Sequence, residues 1–184
     1  MVDPYTLPDD LPRPTDDGAA DHLTGADMPP LALAATDGSE VRLDELAGLT
    51  IVYAYPWTGR PGQPLLLEDW DLIPGARGCT PETCAFRDHH ADLLAAGANA
   101  VYGLSTQDTD YQRELVGRLH LPFAVLSDAH LELTRALDLP TFDANGRALI
   151  KRLTLAIRDG VIERVWYPVF PPDGHAAEVL RDLR

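Results

Sequence analysis

Hydrophobic residues along the chain alternate between short continuous runs and helical spacing, and the changes of pattern divide it into elements. The apolar run 31–35 and the alternating segment 41–43 lie on either side of Asp37-Gly38, a two-residue turn signal, and predict a hairpin. In "TIVYAYP" the residues from Ile51 to Tyr55 are apolar throughout and Pro56 stops them, which suits a central strand buried on both faces. Phe86, His90, Leu93, Leu94 and Gly97 recur at helical spacing and predict a helix over 80–96. "AVYGLS" then reads as a strand, "DTDYQRELVGRLH" as a helix led by carboxylates, "FAVLS" as a strand and "AHLELTRAL" as a short helix. In "LIKRLTLAIRDGVIERVWYPV", Asp159-Gly160 joins two strands in a second hairpin, and "GHAAEVLRDL" closes the chain with an amphipathic helix. Strands alternating with helices, with antiparallel hairpins at both ends, imply an α/β domain whose central mixed β-sheet is flanked by helices.

Two stretches fall outside this pattern. Residues 1–26 are rich in Pro and Asp and lack a period, so they read as an irregular arm ahead of a domain spanning 27–184. Residues 57–78 are rich in Pro and Gly and form a loop longer than a compact domain tolerates without a functional reason.

Composition narrows the classes. At 184 residues with 45% hydrophobic and 24% charged side chains, the chain can bury one real core. A formal charge of −14 excludes the counterion-releasing contacts that nucleic-acid binding requires. The opening residues carry neither a basic start nor an apolar run, and no stretch approaches a membrane span, so the expected compartment is cytoplasmic.

The chain has two cysteines, both inside "IPGARGCTPETCAFRDHH". Thr80, Pro81 and Glu82 make a good helix opening, which places Cys79 in the first turn, where unpaired amides and the helix dipole favour a thiolate. Arg77 is expected to add to that field and Glu82 to oppose it. Five helical positions separate Cys79 from Cys84, an ideal Cα distance of about 8.6 Å. A disulfide needs less than about 7 Å, so the two sulfurs bond only if the first turns of the helix unwind. Two blander readings stand beside this one: a pair of small buried hydrophobes, or a Cys2His2 metal set with His89 and His90, whose adjacent side chains point about 100° apart on a helix.

Several segments, taken together, resemble the peroxiredoxins of the Q type, also called bacterioferritin comigratory proteins. "GCTPETCAFRD" is similar to that family's Gly-Cys-Thr segment with its second cysteine five residues on. "GLSTQDTDYQRELVGRLHLPFAVLSD", "RLTLAIRDG" and "DGHAAEVL" resemble further family stretches in the expected order. The resemblance implies a thioredoxin-like fold and a thiol peroxidase needing neither metal nor organic cofactor. Its substrate would be hydrogen peroxide or a small organic hydroperoxide. Cys79 would be the peroxidatic cysteine and Cys84 the resolving one, with thioredoxin or glutaredoxin as reductant and a monomer or weak homodimer as the assembly. It also implies an active-site guanidinium at Arg152, which strand alternation groups with Ile150, Thr154 and Ala156. Gly78, Thr80 and Arg87 would support the pocket.

The family's Pro and Thr, seven and three residues before the peroxidatic cysteine, are here Leu72 and Ala76. Pro56 and Thr58 of "YPWTG" are the nearest replacements, followed by an extra loop of about 16 residues. The competing reading is a redoxin-fold binding or regulatory protein that uses Trp57, Trp70, Leu65, Leu66 and Leu67 of the 57–78 loop to grip a partner or an apolar ligand.

Overall fold

The continuously apolar run becomes β3 (Leu49–Ala54), and all six of its residues are buried. Alternation divides them between two cores: Leu49, Ile51 and Tyr53 point into one, Val52 and Ala54 into the other. A strand buried on both faces also needs partners on both edges. β4 (Ala98–Ser105) pairs with it in parallel and β8 (Leu153–Arg158) antiparallel, in a register that sets Tyr53 between Gly103 and Thr154. With β1 (Ala32–Ala35), β2 (Glu40–Arg42), β5 (Val125–Ser127) and β9 (Val161–Trp166), the sheet has seven strands in the order β2-β1-β5-β4-β3-β8-β9. Its middle is parallel and each edge is an antiparallel hairpin, the mixed sheet that the sequence pattern predicts. This computed structural model describes residues 5–184, so the first four residues of the arm lie outside the described residues.

Helices α1 (Cys79–Asp88), α2 (His90–Ala95), α3 (Thr109–Leu119) and α5 (His175–Leu183) cover the face that carries Ile51 and Tyr53. They do so through Phe86, Leu93, Leu115 and Val179. α4 (Glu132–Ala136) covers the opposite face through Leu133, together with Leu23 and Met28 from the N-terminal segment. The helix expected over 80–96 is two helices, broken at His89, whose φ of −94° and ψ of 4° leave helical geometry. Phe86 stacks on Tyr53 with ring centroids 4.2 Å apart and planes 7° from parallel, which ties α1 to β3. Full burial of one such ring is worth about 1.5–3 kcal/mol, so the helix carrying both cysteines is anchored at its middle.

The arm is irregular, as its composition suggests, but it is not detached. Leu23 is fully buried in the core, Gly25 N–H donates to Ile162 O, and Met28 N–H donates to Gly160 O, so the packed domain begins before residue 27. A hairpin outside the sequence reading, β6 (Thr141–Ala144) and β7 (Arg147–Ile150), turns at Asn145-Gly146, both at positive φ as a type I′ turn requires. The 57–78 loop folds onto this hairpin. Trp70, Ala76, Ala144 and Leu149 form a third small core, with Trp57, Leu65, Leu66, Leu67, Ile73 and Phe142 packed around it.

His175 joins α5 to the sheet. It is 1% exposed, with Nε2 2.8 Å from Thr154 Oγ1 and Nδ1 3.1 Å from Glu178 Oε2. In the tautomer that donates Nδ1–H to Glu178, Nε2 accepts the Thr154 hydroxyl. Burial lowers its pKa to about 4, assisted by the Arg152 charge and opposed by Glu178 and Asp182. Between about pH 6.5 and 4 the unfolded chain therefore binds a proton here that the folded chain does not, and stability falls as the pH falls through that window. Urea unfolding at pH 7 and pH 4.5 should show the acid loss reduced by about 2 kcal/mol in His175→Gln, and equal losses in both proteins would refute the assignment.

Candidate active site

α1 begins two residues earlier than a Thr80 cap would start it, with Gly78 in the N-cap position at φ 104° and no side-chain cap. Glycine is required there. A Cβ would lie 2.3 Å from Pro172 Cγ and 3.0 Å from Leu7 Cδ2, so the chain passes beneath both Pro172 and the N-terminal arm. Cys79 is consequently the first helical residue and only 3% exposed, while Cys84, on the next turn and a half, is half-buried; both are free thiols.

Arg152 reaches this point from the bend between β7 and β8, not from within a strand as alternation suggested. Its Nη2 donates to Cys79 Sγ at 3.2 Å and faces three carbonyl oxygens: Gly75 at 3.3 Å, Ala76 at 3.4 Å and Arg77 at 3.1 Å. Its Nη1 pairs with the carboxylate of Glu82, which is fully buried. A buried cation thus binds one carboxylate, one sulfur and the peptide stretch that leads into Cys79.

The balance at the sulfur differs from the expectation of a thiol lowered by its helix start. Burial pushes the Cys79 thiol up, and the Glu82 charge adds to that rise. Arg152 and a hydrogen bond from the Trp57 backbone amide pull it down. Enclosure is the reason: at 3% exposure, desolvation of the thiolate outweighs the favourable dipole. Arg77 is not the assisting cation, since its guanidinium faces Asp71 at 3.6 Å and donates to Thr6 O at 3.3 Å. Burial also raises Glu82, to about 7 in spite of Arg152.

The remaining sequence candidates separate. Thr58 is buried, and both its N–H and its hydroxyl donate to Gln107 Oε1 at 3.0 Å, while Gln107 Nε2 donates to Thr58 O at 3.1 Å. Gln107 therefore clamps the turn whose Trp57 amide meets Cys79, a role no sequence signal revealed, because "STQDTD" reads as an ordinary polar helix lead. Pro56 is buried directly after β3. Arg87, expected beside Cys79, instead donates to Leu119 O and Asp88, and its charge acts on Cys84, where it partly offsets the rise that burial causes. His90 lies against Phe123 and His89 faces Asp92, and among the described residues no three His, Cys, Asp or Glu side chains converge as a metal set.

Above the sulfur lies a cavity of about 50 Å³. Cys79 and Thr80 form its floor, and Trp57, Arg60, Leu66 and Trp70 of the 57–78 segment form its roof. Neither Pro56 nor Thr58 lines it.

Removing the cation tests this balance. Arg152→Met should raise the Cys79 pKa further, read as a shift of the iodoacetamide alkylation profile to higher pH, because it deletes both favourable Arg152 contributions. It should also destabilise the fold by about 3–5 kcal/mol by leaving Glu82 unpaired. An unchanged alkylation profile would show that Arg152 does not govern the thiol.

Comparison with known proteins agrees with this geometry. The redoxin family model matches residues 23–182. The chloroplastic peroxiredoxin Q of Oryza sativa subsp. japonica is 28% identical over 161 residues, which are 87% of this chain and 66% of the rice protein. The chain thus spans just under two thirds of that relative. A bcp peroxiredoxin of Coxiella burnetii is 29% identical over 86% of this chain and 97% of its own length. The crystal structure of peroxidoxin BcpB from Mycobacterium tuberculosis superposes with a TM-score of 0.69 at 25% identity, covering 88% of this chain and 96% of that one. A thioredoxin-like sheet, a helix-initial cysteine held by a buried arginine and a match over nearly the whole chain place this protein in the redoxin family, among the Q-type peroxiredoxins.

Proposed function

We propose that the protein is a thiol peroxidase that reduces hydroperoxides at Cys79. The observation that carries this reading is Arg152 Nη2 at 3.2 Å from Cys79 Sγ, beneath a small cavity. The Cys79 thiolate attacks one peroxide oxygen, the S–O bond forms and the O–O bond breaks. The departing oxygen gains the electron pair and takes up a proton, leaving as water or an alcohol. Arg152 and the Trp57 amide hold the thiolate in place and can donate to the oxygens as charge shifts onto them, the same preorganisation that stabilises oxyanions elsewhere. The sulfenic acid then condenses with the Cys84 thiol, releasing water and forming a disulfide. Thioredoxin or glutaredoxin returns both sulfurs to thiols by exchange, supplying two electrons.

The packing of the 57–78 segment weighs against the partner-binding alternative. Trp70 is 4% exposed and the leucines lie against the β6–β7 hairpin, so these apolar side chains are already occupied by their own domain.

Stopped-flow mixing with hydrogen peroxide should show rapid oxidation in wild type and Cys84→Ser, and none in Cys79→Ser. Cys84→Ser should complete one oxidation and fail to recycle with thioredoxin. Mass spectrometry of mildly oxidised wild type should find the Cys79–Cys84 link. Turnover retained by Cys79→Ser would refute the mechanism, and a missing link would refute the role of Cys84.

A further inference from the structure

Resting on the peroxidase reading, we infer that the 57–78 segment is a selectivity roof that restricts the oxidant at Cys79 to hydrogen peroxide and excludes hydroperoxides with bulky organic groups. Leu65 and Leu66 are the residues that set the limit.

Size carries the first part of the argument. An apolar cavity of about 150 Å³ just admits a benzene ring, so the cleft of about 50 Å³ above Cys79, although it opens to solvent past the exposed Pro61 and Pro64, cannot take an aromatic or long alkyl substituent in beside the sulfur. A molecule with two oxygen atoms fits. Cys79 is 3% exposed and does not line the wider cavity nearby.

A larger space lies close by, but the sulfur does not reach it. A cavity of about 290 Å³ with mainly apolar walls, among them Ile73, Pro74, Phe142 and Val169, would take a bulky group, but Cys79 does not line it. Arg152 lines that wide cavity and its Nη2 touches Cys79 Sγ, so the guanidinium itself, faced by the carbonyls of Gly75, Ala76 and Arg77, stands between the two spaces. Opening that wall would strip the buried cation of these acceptors and disturb the group that holds the sulfur, so the wide cavity is not a side entrance.

The roof itself is held from outside the site. Trp70 is buried with Ala144 and Leu149, its ring 6.2 Å from Phe142, and the Arg147 guanidinium lies 5.5 Å from the Trp57 ring centroid. Such a roof resists displacement by a substrate, whereas a solvated loop would yield to one. Leu65 and Leu66 are the half-buried aliphatic members of the cavity wall, where shortening a side chain adds space without removing a charge or a ring.

The test compares hydrogen peroxide with cumene hydroperoxide by stopped-flow oxidation of Cys79. Wild type should prefer hydrogen peroxide by at least about 30-fold in second-order rate constant, and the double variant Leu65→Ala/Leu66→Ala should narrow that ratio by about tenfold. Wild-type rates equal within about threefold would overturn the inference while leaving the peroxidase reading intact, and this comparison needs no variant to fold. An unchanged ratio in a folded double variant would remove Leu65 and Leu66 from the role. Oxidation of wild type by both peroxides no faster than free cysteine would fell the peroxidase reading, and the inference with it.

Discussion

One buried guanidinium organises the molecule around its thiol. Arg152 is 3% exposed, and its neighbours include two acids, Glu82 and Cys79, that compete for it. Burial raises the pKa of each, and the negative charge of Glu82 raises that of Cys79 further. A single cation in a medium of low polarity neutralises one anion well and two poorly. A charge on the sulfur and a proton on Glu82 therefore favour one another. Burial brings Glu82 to about 7, so near neutral pH it is the carboxylate whose protonation relieves this competition, while the thiol stays pushed up. The helix start supplies a favourable direction, but the electrostatics of the site are decided by this shared cation.

The same side chain explains how a long insertion is tolerated beside a reactive centre. An extra loop costs little in closure entropy when its length grows, but it must satisfy its backbone and bury its apolar side chains. Here Arg152 Nη2 lies against the carbonyls of Gly75, Ala76 and Arg77 near the end of the loop, and the β6–β7 hairpin receives its tryptophan and leucines. The N-terminal arm completes the enclosure through Leu7 over Gly78 and through Asp17, which accepts hydrogen bonds from Lys151 and Tyr167. Insertion, hairpin and arm thus form one layer over the site, and the seven-stranded sheet beneath it follows the more regular part of the sequence.

That division also accounts for what the sequence made legible. Elements whose burial has a single period were read directly: the apolar run at β3, the hairpin at Asp159-Gly160 and the amphipathic α5 each show their pattern without help from distant residues. The β6–β7 hairpin is faint in the sequence because each strand has four residues and Ala148, Leu149 and Ile150 form an unbroken apolar run without alternation, even though Asn145-Gly146 is a strong turn signal. At the site, the motifs single out Cys79, Gly78 and Arg152 and the fold brings them together, yet the sign of the thiol shift is not legible there. Desolvation depends on Leu7, Pro172 and the roof lying over the sulfur, which are contacts between residues far apart in the chain. Glu82 read locally as a helix-opening carboxylate, and only the fold shows it fully buried against Arg152. Gln107 was invisible for the same reason.

Enclosure also bears on the step that would join the two sulfurs. From Cys79 to Thr83 every residue of α1 is buried, so bringing Cys84 to Cys79 is not the fraying of a solvated helix end. It must lift Gly78 from beneath Pro172 and Leu7 and pull Glu82 away from Arg152, a buried pair whose separation is expensive. On the proposed mechanism, oxidation itself lowers this barrier. A sulfenic acid in its neutral form no longer carries the charge that Arg152 holds, so one of the contacts fixing the first turn weakens as soon as the peroxide has reacted. Phe86, stacked on Tyr53 beyond Cys84, still anchors the helix during that opening and limits the unwinding to the turns that contain the two thiols.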